Sequence, residues 1–107
     1  MEFEYKGRKV KVQTLEKGKN YSTIVVHFEL PNSEHHGFLL KVGDKIVAKG
    51  EIAKAVRDAK IDGVEMAVAP PADTNALIML RVSGEEREIL EKVLEIVESF
   101  LRERGLI

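Results

Sequence analysis

The sequence predicts an α+β fold: a single, mainly antiparallel sheet of about six to seven strands, with a short helix and a long C-terminal helix packed on one face. Alternating polarity recurs over most of residues 1–49, which is the pattern of half-buried strands. The apolar period becomes helical after Gly50 and again after Ser83. Short links favour antiparallel neighbours, so residues 1–107 are expected to form one domain in the order βββββαββα.

The first half of the chain predicts five strands and one irregular loop. Polar and apolar side chains alternate along each predicted strand, and Lys6-Gly7 and Gly43-Asp44 supply tight turns. Residues 31–37 combine a proline, a glycine and turn-forming side chains, so we expect an exposed loop there. The predicted strands cover residues 2–5, 8–15, 21–30, 38–42 and 45–49.

The second half predicts a helix, two strands and the long helix. Apolar side chains recur at helical spacing over residues 52–59, which indicates a short helix. Alternation over residues 64–68 predicts a strand, which Pro70-Pro71 ends because proline donates no hydrogen bond. Residues 76–82 are almost continuously apolar, so this strand is expected to be covered on both faces or to contact another molecule.

The helix over residues 83–105 has the clearest start and end. Ser83 and Glu86 fit a capping box, and Gly105 suits the left-handed position after the last turn. The apolar residues cover an arc of about 160°, wider than the roughly 100° of an ordinary surface helix. The sheet is therefore expected to cover only part of this face, leaving the rest, with the rigid 70–75 loop, for a partner. The candidate contact residues are Ile89, Leu90, Leu94, Ile96, Leu101, Pro70, Pro71 and Asp73.

Composition excludes several classes of site. There is no cysteine, and the net charge of −1 provides no field to collect nucleic acid or anionic lipid. No apolar run reaches the length of a membrane span and no signal peptide is recognisable, so a soluble cytoplasmic protein is expected. The interspersed lysines and glutamates are typical of a heat-adapted source.

The search for chemical motifs favours a non-enzymatic protein. No serine lies in a nucleophile elbow, and no glycine-rich phosphate motif is present, so neither catalytic residues nor a cofactor are predicted. His35 and His36 are adjacent, a spacing that rarely binds one metal ion, which leaves a metal-assisted enzyme as the weaker alternative. The basic residues from Lys6 to Lys19, flanked by Tyr5 and Tyr21, suggest a small RNA-binding domain as the main alternative.

The order of elements resembles that of the small proteasome assembly chaperones of the third and fourth type. The similarity rests on the N-terminal hairpin at residues 2–15, the apolar strand at 22–30, the short strand at 37–42, a helix, another apolar strand and the C-terminal amphipathic helix. It implies a non-enzymatic dimer that holds proteasome α-subunits during ring assembly. The double-proline loop departs from that pattern, and the chain ends Gly105-Leu106-Ile107, without a hydrophobic–tyrosine tail for pore docking.

Overall fold

The alternating segments form eight strands in the computed structural model, which describes all of residues 1–107. This confirms the predicted α+β class, with antiparallel strands, a short helix and a C-terminal helix. Neither helix is long and apolar enough to cross a lipid bilayer. The strands are β1 (Glu2–Tyr5), β2 (Arg8–Lys17), β3 (Ser22–Phe28), β4 (Ser33–His36), β5 (Leu39–Val42), β6 (Lys45–Ala48), β7 (Val64–Val68) and β8 (Ile78–Val82); the helices are α1 (Lys49–Asp58), between β6 and β7, and α2 (Glu86–Glu103), after β8.

The strands are divided between two antiparallel sheets, where the sequence predicted one. The larger sheet has the order β1-β2-β3-β8-β7 and the smaller the order β4-β5-β6. The division occurs after β3, where Pro31 cannot donate to a ladder and Asn32 has a φ of +57°. These two residues turn the chain out of the larger sheet, and β6 leads directly into α1 instead of returning to it.

The predicted irregular loop at residues 31–37 is wrong over most of its length. Ser33 pairs with Val42 and His36 with Leu39, so this stretch forms β4. Only its first two residues and Gly37, with a φ of +60°, form turns. Its polar composition is compatible with an edge strand because alternate side chains point to solvent.

The start of α2 also differs from the predicted capping box. Glu85 is the N-cap residue, and its side chain accepts a 2.8 Å hydrogen bond from the Glu88 backbone N–H. The Ser83 N–H instead donates to the Gly63 carbonyl at 2.8 Å, which ties Ser83 to the residue before β7. The predicted end is confirmed: Gly105 has a φ of +72°, and the Leu106 N–H donates to the Leu101 carbonyl.

The apolar face of α2 lies inside the protein, which corrects the prediction that part of it is left for a partner. α1 packs beside α2, and Leu106 folds back into the core, so the helix has more cover than the sheet alone provides. The predicted contact residues on this helix are therefore core residues, apart from one that is half-buried at the margin of the core. Ile89, Leu90, Leu94 and Leu101 are buried, and Ile96 is half-buried.

Candidate functional site

Two segments that the sequence marked separately meet where the two sheets adjoin. The 70–75 loop joins β7 to β8, and Gly37 lies in the turn between β4 and β5. A Cβ atom on Gly37 would lie 4.0 Å from the Ala72 Cβ, so the loop and the turn are neighbours. Pro70 is buried, whereas Pro71 and Asp73 are exposed. Only the last two remain available for the predicted partner contact.

Three basic side chains converge beside this loop, and we call them the basic cluster: His27, His35 and Lys49. Lys49 begins α1 and is wholly buried, with 0% of its surface exposed. Its ammonium donates a 2.8 Å hydrogen bond to the Ala76 carbonyl. His27, from β3, lies near the backbone of Asn75, the preceding residue. The hydrogen bond from Lys49 therefore anchors the cluster to the end of the loop.

His35 joins the cluster from the smaller sheet. It lies opposite Leu40, which lies opposite Val47, so these three side chains share the buried face of that sheet. The His35 Nδ1 atom is inaccessible to solvent and has no hydrogen-bond partner. An unpaired buried nitrogen is uncommon in a native structure and marks a position with unused hydrogen-bonding capacity.

The electrostatics of the basic cluster favour its neutral forms. Burial lowers the pKa of Lys49, and no carboxylate forms an ion pair with it. Burial also lowers the pKa of His35, with further lowering from Lys49 and His27. Burial and, to a smaller extent, Lys11 lower the pKa of His27, whereas the nearby backbone of Asn75 raises it. Three basic groups thus share one region without a compensating acid.

The two adjacent histidines point in opposite directions. His36 lies on the outward face of β4, where its Nε2 atom is 2.9 Å from the Glu34 carboxylate. His35 lies on the inward face because successive strand residues alternate. The pair therefore does not converge on one ion, which removes the geometric basis for the predicted metal alternative.

The smaller sheet exposes an unusually apolar surface. Its outward residues form two rows across the strands, Glu34–Lys41–Ile46 and His36–Leu39–Ala48. We call these six residues the outer face. Ile46 is 63% exposed and Leu39 is 43% exposed, and Phe38, at the adjoining turn, is 56% exposed. The apolar run at residues 38–40 was the sequence signal for this surface, and it was read only as a strand.

The basic strand that suggested RNA binding is balanced by its neighbours. Lys9 lies opposite Glu4, and Lys11 opposite Glu2, so acidic side chains flank the basic ones on β1. The Tyr21 ring lies 4.6 Å from the Arg81 guanidinium, which occupies a face needed for stacking on a base. These contacts give RNA binding no specific support.

Lys49 was the functional candidate that the sequence reasoning missed. It was assigned to a strand end, where a lysine is ordinarily solvated. Its burial depends on a contact with Ala76, which is 27 residues away in the chain.

Comparisons with family models, curated proteins and solved structures found no match to this chain.

Proposed function

We propose that this chain is a non-enzymatic protein-binding module that acts as a homodimer through the outer face. The observation that carries the proposal is the exposure of Leu39 and Ile46 on one face of the smaller sheet, with Phe38 at the adjoining turn; all three side chains are more than 40% exposed. Single exposed apolar residues are normal, but a contiguous group on a sheet face is typical of a contact surface. An exposed strand surface that carries apolar side chains tends to associate with another molecule unless it is covered.

The arrangement of the outer face favours a second copy as the occupant. A two-fold axis running between its two rows would place Glu34 of each copy opposite His36 of the other. The same axis would place Ile46 opposite Ala48. Acid would thus meet base at β4 and apolar side chains would meet at β6, while Lys41 of each copy would lie against Leu39 of the other in the middle.

The size of the outer face sets the expected affinity of the homodimer. Three strands about 4.8 Å apart, with four residues at about 3.4 Å each, cover roughly 200 Å² in projection. A stable interface buries about 800 Å² on each partner. Phe38 and the exposed Pro71 and Asp73 extend the surface from the adjoining turn and loop. We therefore expect a modest dimer, with dissociation in the micromolar range.

The decisive experiment measures mass in solution by light scattering and sedimentation. The wild type is expected to have twice the chain mass of 12.0 kDa. Ile46→Glu should give a folded monomer whose melting temperature falls only by the stabilisation that dimerisation supplies, because its side chain is 63% exposed and contributes little to the core. Leu15→Glu is the matched control, since Leu15 is 48% exposed on β2, outside the outer face. A monomeric wild type, or an Ile46→Glu variant that remains a dimer, would contradict the proposal.

The family resemblance supplies a specific client for this module. We propose proteasome α-subunits as the protein partner, supported by the order of elements alone. The test is co-purification of the full chain with separately expressed α-subunits, using Ile46→Glu as the comparison. Retention of the wild type with loss of the variant is the expected result. Failure of both to bind α-subunits would remove this client without affecting the dimer.

A further inference from the structure

We propose that the basic cluster binds a small oxyanion, the phosphate or carboxylate group of a ligand, at the junction of the two sheets. The cluster brings together His27 from β3, His35 from β4 and Lys49 from α1. These three elements come from both sheets and the first helix, so the site exists only in the folded protein. It lies away from the outer face, and its test is independent of the dimer.

Unused donors provide the first argument. The Lys49 ammonium has three N–H groups, and its one hydrogen bond in the structure is to Ala76. The buried Nδ1 atom of His35 has no partner at all. Both atoms belong to groups that donate strongly when protonated. An oxyanion has several acceptor oxygens and would satisfy both.

Missing negative charge provides the second argument. Buried charges in proteins are normally paired, because an isolated one is costly to desolvate. Here Lys11, from β2, is a further basic group acting on His27, and His36 acts on His35 from the same strand. Asp73, the acid of the neighbouring loop, is exposed and forms no ion pair. A ligand is therefore the natural source of the compensating charge.

The position of the cluster gives a ligand a route of entry. Lys49 is wholly buried, whereas His27 and His35 are half-buried, so the two rings keep some exposed surface through which a ligand would approach. Lys49 is also the first residue of α1, whose N-cap, Ala48, provides no side-chain hydrogen bond. The positive end of the helix dipole thus lies at the same place and adds to the attraction for an anion.

Anion binding at this site must be coupled to proton uptake. A bound oxyanion favours the protonated imidazole, so it raises the pKa values of His27 and His35 from their lowered positions. Affinity is therefore expected to increase as the pH falls across the range of about 8 to 5 in which histidine titrates. This pH dependence distinguishes the site from a fixed cationic patch, whose affinity would respond mainly to salt.

The first test follows the ring signals of the three histidines by NMR in the full chain, with inorganic phosphate as the probe and sodium chloride at matched ionic strength as the control. The expected result is that phosphate raises the titration midpoints of His27 and His35 while the signals of His36 stay unchanged. Acetate provides a second arm, and a response to it alone would identify a carboxylate ligand. Equal responses to chloride and phosphate, or no response, would overturn the proposal.

The second test measures phosphate affinity by calorimetry at the acidic end of the same range. Lys49→Met and His35→Asn should each weaken binding by about tenfold or more, as expected for losing a hydrogen bond to a charged group. Lys92→Met is the matched control, since Lys92 is exposed on α2 and belongs to neither the basic cluster nor the outer face. Equal affinity in all three variants would refute the assignment. The NMR measurement remains decisive if a variant fails to fold.

Discussion

Shortening Leu94 to alanine separates a core role for α2 from a role in partner binding. Leu94 is 1% exposed and belongs to the core cluster of 23 buried residues. Loss of a buried leucine side chain costs about 2 to 5 kcal/mol, because transfer energy is lost and the cavity collapses only partly. Each kcal/mol lowers the melting temperature of a domain of this size by about 4 to 8 °C. We therefore expect Leu94→Ala to melt roughly 8 to 40 °C below the wild type.

Calorimetry and urea unfolding measure this loss, and light scattering measures the mass of the same samples. Leu15→Ala is the control, because Leu15 is 48% exposed and surface changes of this kind stay within about 0.5 kcal/mol. The variant at position 94 should keep the oligomeric state of the wild type under conditions where both are folded. A change of mass with little loss of stability would mean that the α2 face contacts a partner, and would refute the assignment of this face to the core.

Three further predictions concern backbone strain and pH. Gly63 has a φ of +90°, and an added Cβ would lie 2.6 Å from the Ile89 side chain, so Gly63→Ala should cost about 2 to 5 kcal/mol in urea unfolding; Gly7→Ala, equally left-handed but with open space around it, should cost only about 1 to 2 kcal/mol. The pKa of Glu98 is lowered chiefly by its hydrogen bond from Lys6, so Glu98→Gln should lose about 0.5 to 1 kcal/mol at neutral pH. That difference should vanish as the pH falls through the lowered pKa, because the wild-type carboxylate is then protonated, and a difference that persists in acid would contradict it. In phosphate-free buffer, the free energy of unfolding should fall as the pH drops through about 6.5, because His27 and His35 bind protons more readily in the unfolded chain than in the folded protein. Chemical denaturation at a series of pH values measures this fall. Its absence would mean that the two rings are freely solvated.

Local patterns were sufficient for most elements because their determinants lie within a few residues. Helical spacing over residues 52–59 located α1, and Gly105 located the end of α2. Alternation over residues 21–30 located β3, and the structure buries Ile24 and Val25 on its opposite faces. The start of α2 was misjudged because Ser83 is a preferred N-cap residue and Glu85 is not, whereas the actual start depends on a distant contact between Ser83 and Gly63.

The candidate site was less accessible to sequence reasoning because its parts come from separate elements. The 70–75 loop and the histidine pair were both recognised, but nothing in their spacing placed them together. The exposure of the α2 face was misjudged because the cover supplied by α1 and Leu106 depends on how the chain folds back. The width of the apolar arc on α2 shows how much surface needs burial, but it does not show how many other side chains of the protein are available to bury it.

The α+β class, the antiparallel pairing and the identity of most strands and both helices follow from the residues alone, because periodicity and turn chemistry are local properties. Long-range packing divided the strands into two sheets, since that division depends on where the chain goes after Pro31. It also decided which lysine is buried: Lys49 resembles other lysines in the sequence, and its contact with Ala76 across 27 residues places it beside the two inward histidines. Burial and neighbouring charge are properties of three-dimensional packing, and they set the chemistry of this site.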